Sequence, residues 1–461
     1  MKKIGILLLA LTLLLCGCAE ENSWPGYDGN MEGYTYCHAE GRDRQWEEDF
    51  LYLAETCLTT HPYLMENVCW TYTYREPFSE AKTAWSRDIF RKETRDRFLE
   101  RVNALIPQIP DWSDDKLAWE VRGLIASLGD IHSTMHPAVE DERVLPLGFV
   151  PIAGESGYSL YAVSVPKTHE SAYLGRLTAI NGIPVETIVE ALTAYVSAEN
   201  AYYPIHAIAG IRSPGLLCVR SALCAVGVVE ADAASARFSF ETDGGIVECA
   251  VEAVKPEEYG KLELQTHPMY TSGGGIFRKN DNYWYEWLEE DTLYLRLASL
   301  REEADCSFLR YVTEAAGELQ KANFPVRLIL DFRCNTGGPP YITQWQYLVD
   351  AIRNCETDGV YILTNGSCIS SGVAAPYQLA QAIPAARLVG SPTAQFPNGA
   401  AGQQTYALPH SGLTFSLSRS YSCFAPGKTD SALHPHMPVE QTWEDYVNSR
   451  DTVLDYVLNL P

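Results

Sequence analysis

Between Arg327 and Thr393 the chain carries three short apolar runs, and each stops abruptly at a loop of small and polar residues. Leu328-Ile329-Leu330 ends in Asp331-Phe332-Arg333-Cys334-Asn335-Thr336-Gly337-Gly338. Val360 to Leu363 ends in Asn365-Gly366-Ser367-Cys368-Ile369-Ser370-Ser371-Gly372, and Leu388-Val389 ends in Gly390-Ser391-Pro392-Thr393. Apolar runs of this length without alternation are strands buried on both faces. Helical stretches near Gln344 to Ile352 and after Ser370 separate them, and Leu293 to Leu297 and Phe308 to Leu319 add a strand and a helix before them. The alternation predicts a parallel α/β sheet with right-handed crossovers. Such sheets collect chemistry at the carboxyl ends of their strands. A twin glycine frees backbone N–H groups to face a developing negative charge. A serine at a strand-to-helix turn can act as a nucleophile, its helix start favouring that charge. Ser367, Ser370 and Ser371 all qualify by position, although a serine before a helix is more often an N-cap.

The same loops carry a resemblance. Asp331 to Gly338 matches Asp-x-Arg-x-Asn-x-Gly-Gly, Asn365 to Ser370 matches Asn-Gly-x-Thr-x-Ser with Cys368 in place of Thr, and Gly390 to Thr393 matches Gly-x-x-Thr. Upstream, Leu128-Gly129-Asp130-Ile131-His132-Ser133 matches a Leu-Gly-Asp-x-His-Ser/Thr turn, and Ile180-Asn181-Gly182 matches an Ile-Asn-Gly segment. In this order the five motifs resemble the tail-specific, or C-terminal-processing, serine peptidases, in their tricorn-core-like branch. The resemblance implies a crotonase/ClpP-like βαβ core, an N-terminal helical region and a degenerate PDZ-like insert. It selects Ser370 as nucleophile and His132 as base, with the N–H groups of Gly337 or Gly338 and of Ser371 as an oxyanion hole. An imidazole suits the base, because its ordinary pKa lies near neutrality. No lysine follows Thr393 in Ala394 to Asn398, which speaks against a Ser–Lys pair. Asp430 is the nearest acid to the segment where the family places the residue that orients its histidine. Asp331, Arg333 and Asn335 are expected to brace the loop rather than react.

Three positions depart from the family pattern. Val373 stands where glutamate is usual, Gln395 where glycine is usual, and His436 where aspartate is usual. They keep open an alternative, a catalytically degenerate protein that grips extended peptides on the same scaffold. His434 and His436 alternate, but no third ligand accompanies them, so no metal site and no cofactor are expected.

Elsewhere the patterns are helical, then alternating. Trp46, Phe50, Leu53 and Cys57 form one apolar stripe, Phe98, Val102, Leu105 and Ile106 another, and Ser113 is placed to cap a third helix. His61 precedes Pro62 and reads as a helix end rather than a ligand. Residues 44–140 are therefore expected to be a helical domain ending in the histidine turn. Residues 145–255 alternate in short runs and read as the insert, 256–290 as a linker around Ser272-Gly273-Gly274-Gly275, and 291–461 as the α/β core.

The first 18 residues have a different role. Lys2 and Lys3 precede an apolar stretch, Ile4 to Leu15, too short to span a bilayer comfortably. Leu15-Cys16-Gly17-Cys18 resembles a bacterial lipobox, which implies cleavage before Cys18 and diacylglycerol on its thiol, with 19–43 as a tether. The protein is then expected outside the cytoplasmic membrane, acting on peptides or proteins. With 35 Lys and Arg against 59 Asp and Glu, the net charge of −24 disfavours nucleic acid and anionic lipid as partners. Thirteen cysteines fit no zinc spacing. Cys218 and Cys224 could pair across a turn or stay free, and Cys334 and Cys368 occupy two site loops where a disulfide would touch the chemistry.

Overall fold

A computed structural model describes residues 36–136, 142–155, 157–210, 214–270 and 281–461. The signal stretch with Cys16 and Cys18, most of the tether and the Ser272 to Gly275 run lie outside these residues.

The central sheet runs in the order Tyr283–Trp287, Thr292–Leu297, Val326–Asp331, Thr357–Thr364, Ala386–Gly390 and Met437–Pro438. Its first pair is antiparallel and every later pair is parallel. The helices Phe308–Lys321, Gln344–Asn354 and Ser371–Ala382 provide the crossovers between parallel strands. Leu328, Leu330, Val360 and Ile362 pack with Phe308, Trp345 and Leu379 on one face of the sheet. Ile329, Tyr361 and Leu363 meet the C-terminal helix Thr452–Leu458 on the other. Burial on both faces explains why these strands are apolar throughout.

A second, antiparallel sheet of seven strands occupies 148–266, built mainly on Gly157–Pro166, Ser235–Thr242 and Gly245–Glu252. The stretch expected as a linker gives one strand to each sheet: Leu264–Thr266 pairs with Gly157–Pro166, and Tyr283–Trp287 with Thr292–Leu297.

The N-terminal region is not wholly helical. The helices Gly41–Thr60, Lys92–Leu105 and Asp114–Ala126 bury the expected stripes, and Ser113 accepts the Lys116 N–H as an N-cap. Between them, Cys69–Thr73 and Lys82–Ser86 form a hairpin. Cys69–Thr73 runs parallel to Thr414–Cys423, which pairs antiparallel with Asn398–Ala407. Trp70, Thr71, Tyr72 and Thr73 favour an extended chain, but the strand they join lies some 350 residues away. This third sheet ties the N-terminal helices to the C-terminal part, and it brings the histidine turn to the core.

Candidate active site

Ser370 sits at the N-terminus of the helix Ser371–Ala382, just beyond the strand Thr357–Thr364. Its backbone is left-handed, with φ 58° and ψ −130°. A non-glycine residue rarely adopts such angles, and strain of this kind collects at functional turns. Three contacts hold the turn. Ile369 N–H donates to Asn335 O at 2.9 Å, Ser371 Oγ donates to Gly338 O at 2.6 Å, and Ser370 N–H donates to the side chain of Gln395 at 2.7 Å. Gln395, which replaces the family's usual glycine, is thus the side chain that fixes the Ser370 backbone. Val373, one turn on, is fully buried in the apolar core.

The twin-glycine loop lies against this turn. A Cβ on Gly337 would come within 2.6 Å of Ser370 Cβ and 3.0 Å of its Oγ, and φ there is +81°. Gly337 N–H, one of the expected oxyanion donors, is already given to Asn335 Oδ1 at 2.7 Å. The N–H groups of Gly338 and Ser371 have no acceptor among the described residues. Asn335 also donates to Leu297 O at 2.6 Å, and a Cβ on Gly372 would strike its side chain at 2.5 Å.

Beneath the loop, Asp331 accepts from Arg333 and from Tyr294 Oη at 2.6 Å. Arg333 forks onto both oxygens of Asp451, each at 2.7 Å, and Asp451 caps the C-terminal helix. Burial disfavours the Asp331 charge, but the guanidinium groups of Arg333 and Arg296 outweigh it and hold the carboxyl below its ordinary range. These residues brace the loop as expected. Cys334 and Cys368 form no disulfide. Cys368 Sγ donates to Phe332 O at 3.1 Å, and Asn365 Nδ2 donates to Cys334 Sγ at 3.3 Å.

His132 lies in the turn after the helix Asp114–Ala126. Its Nδ1 is 3.5 Å from Asp130 Oδ1, its backbone N–H donates to the same oxygen at 3.0 Å, and Nε2 is left as the ring nitrogen on the far side from Asp130. Asp130 is fully buried and accepts from Ser133 Oγ at 2.6 Å, with His61 Nε2 at 3.1 Å. Burial alone would raise the Asp130 carboxyl, but its bonds to His132 and His61 hold it well below the usual range. Glu199 comes next to this pair: one ligating atom each from Asp130, His132 and Glu199 lie within 4.8 Å of one another. Burial, reinforced by the Asp130 charge, lifts the Glu199 carboxyl well above its ordinary value. The two carboxyls beside the imidazole are thus pushed in opposite directions. A metal ion would have to compete with the three donors already bound to Asp130.

Asp430, the acid expected from sequence, is exposed, and its carboxylate makes no hydrogen bond or ion pair with described residues. The carboxylates at His132 are Asp130 and Glu199 instead. Asp130 was visible in the histidine motif. Glu199 carries no local signal, since Ser197-Ala198-Glu199-Asn200 reads as an ordinary polar turn. His436 uses Nδ1 to accept Leu388 N–H at 2.9 Å, and His434 packs edge-on to Tyr202.

The strand Asn398–Ala407 joins the two halves. Gln403 on it donates to His132 O, and a Cβ on Gly399 would meet the Glu199 carboxylate at 3.2 Å and Gln395 Nε2 at 3.6 Å. Asn200 adds a tie, donating to Thr393 O at 3.0 Å. The histidine turn and the serine turn thus share one wall.

No protein-family model matches the chain, and no curated protein matches it in sequence. Solved structures do. Mature CPAF aligns over 90% of this chain and 96% of its own, with a TM-score of 0.60 at 11% identity. Mature CPAF complexed with lactacystin aligns over 90% and 97%, with a TM-score of 0.58 at 12% identity. The chain shares the CPAF fold. A photosystem II D1 C-terminal processing protease aligns over 86% of the chain at a TM-score of 0.39, too loose a likeness to weigh.

Proposed function

We propose that this protein is an exported serine endopeptidase that hydrolyses peptide bonds through an acyl-enzyme. The observation that carries the reading is the strained Ser370 turn at a helix start, packed against Gly337 so closely that no side chain fits between them. Ser370 Oγ attacks the scissile carbonyl. His132 Nε2 takes the hydroxyl proton and returns it to the leaving amine, as a general base and then acid. Asp130, rather than Asp430, faces Nδ1 and stabilises the imidazolium. The N–H groups of Gly338 and Ser371 serve the oxyanion, where loss of one donor typically costs ~10²–10³ in kcat. Water then hydrolyses the Ser370 ester by the same path in reverse.

A fluorophosphonate probe tests this on protein lacking residues 1–18. The modification should map to Ser370 by mass spectrometry and vanish in Ser370→Ala, and casein cleavage should fall in both Ser370→Ala and His132→Ala. Peptide binding without labelling or turnover would refute catalysis and leave a peptide-binding protein on the CPAF fold.

We further propose that Cys18 carries the lipid that holds the catalytic part outside the cytoplasmic membrane. Among the described residues no helix is long and apolar enough to cross a membrane. The acidic body gains nothing from anionic headgroups, so the lipid must anchor. Cys18→Ser should release the protein from the membrane fraction or leave its signal uncut. Unchanged mass and retention would return a plain secretory signal.

A further inference from the structure

A cleft of about 410 Å³ opens beside the nucleophile turn. Thr336 and Ile369 line it together with Trp119, Arg122 and Tyr203. Ile369 is the residue before Ser370, and Thr336 the residue before Gly337. A peptide whose carbonyl rests on Ser370 therefore has this cleft within reach of its neighbouring side chains.

Arg122 is the unexplained group in it. Its Nε donates to Tyr195 O at 2.7 Å, and its guanidinium carbon lies 5.2 Å from the Trp119 ring centre. Its two terminal nitrogens make no hydrogen bond or ion pair with any described residue. Glu142, an acid on the cleft wall, is already committed to Ser221 Oγ and the Arg143 N–H. Arg122 differs in this from Arg333, a guanidinium beneath the loop, which is saturated by two carboxylates. Burial draws the Arg122 pKa down to about 10, with only Tyr203 opposing, whereas Arg333 is pushed up by its acids despite burial. A half-buried cation with no counter-charge among the described residues is costly to keep, and a bound anion relieves that cost. The planar fork left open matches a carboxylate in particular.

We propose that this cleft is a specificity subsite for a carboxylate of the substrate, held by the two terminal nitrogens of Arg122. Arg122 is here a substrate-binding residue, and the inference rests on Ser370 marking where the peptide lies. In an endopeptidase the residues beside the scissile bond are internal, so the carboxylate is that of an Asp or Glu side chain. The net charge of −24 repels acidic peptides in general, so this attraction has to be local and short-ranged.

The test separates binding from turnover. Fluorescein-labelled decapeptide pools are made in four forms, Glu-rich or Gln-rich, each ending in a free acid or an amide. Their affinities for the full mature chain carrying Ser370→Ala are read by anisotropy. Charge-assisted hydrogen bonds of this kind predict a preference of roughly ten- to a hundredfold for the carboxylate form. Arg122→Gln should abolish the preference and Arg122→Lys keep part of it, with thermal midpoints confirming that both variants fold. A preference for Glu over Gln supports the proposal, and one that follows only acid over amide overturns it. The proposal is overturned if the Ser370→Ala protein shows no preference, or if Arg122→Gln keeps it in full. Absence of fluorophosphonate labelling with the preference intact would sink the peptidase reading alone.

Discussion

Replacing Ser370 by glycine and by alanine should have different effects on stability and the same effect on chemistry. The left-handed backbone at Ser370, with φ 58° and ψ −130°, is open to glycine and costly for any residue with a Cβ. Such conformations cost about 1–3 kcal/mol. Glycine removes that strain but adds back about 0.5–1 kcal/mol of unfolded-chain entropy. The net gain for Ser370→Gly is then about 0–2.5 kcal/mol, centred near 1 kcal/mol. If all 461 residues unfold together, the unfolding entropy is about 1 kcal/mol per kelvin and the midpoint rises by about 1 °C, and by no more than about 2.5 °C. Ser370→Ala keeps the Cβ and the strain, and Ser370 Oγ has no hydrogen bond to lose among the described residues, so its midpoint should match the parent. Both variants should lose fluorophosphonate labelling. Calorimetry on the parent and both variants reads the midpoints side by side. Equal midpoints for the glycine and alanine proteins would show that the turn is unstrained in solution, and the argument that strain marks the nucleophile would go with it.

Three further outcomes follow from the site. Gly337→Ala should all but abolish peptide hydrolysis while leaving the circular dichroism spectrum intact, because its Cβ would lie 2.6 Å from Ser370 Cβ; wild-type kcat in this variant would contradict the packing. Asp130→Asn should lower kcat by about 10²–10⁴, the usual range for general acid–base catalysis, and cost about 1–3 kcal/mol through donors left poorly matched; steady-state kinetics and urea unfolding measure the two effects separately. Glu199→Gln should act through pH. Folding raises the Glu199 pKa, chiefly by burial and then by Asp130, so the folded state binds this proton more tightly than the unfolded one. That contribution to stability is fully present below the ordinary value of 4.5 and is lost as pH rises through the raised native value. Glutamine removes the loss, so the variant should gain on the parent in thermal midpoint as pH rises above the ordinary value of 4.5 and show no gain at pH 4; a difference that stays constant from pH 4 upward would refute the assignment.

Much of this protein was legible along the chain. The apolar runs ending at Asp331, Thr364 and Gly390 gave the parallel sheet, because strands buried on both faces have no polar positions to spare. The amphipathic stripes at Trp46 and Phe98 gave their helices for the complementary reason, one buried face each. The loops carrying Ser370, His132 and Gly338 announced themselves because each needs particular residues at fixed local spacing. Tertiary structure alone decided the rest. The Cys69–Thr73 strand depends on a partner some 350 residues away, and nothing local distinguishes its pairing from a helix or a loop. Asp130 stands in the histidine motif, but only in space does it face His132 with Glu199 beside it, while Asp430 is exposed. Gln395 looked like a defect in a motif until its side chain was placed on the Ser370 N–H. Arg122 carries no local signal, and only the folded chain shows it without a counter-charge among the described residues. Periodicity and turn chemistry act over a few residues, whereas burial and charge pairing are set by groups that meet only when the chain has folded.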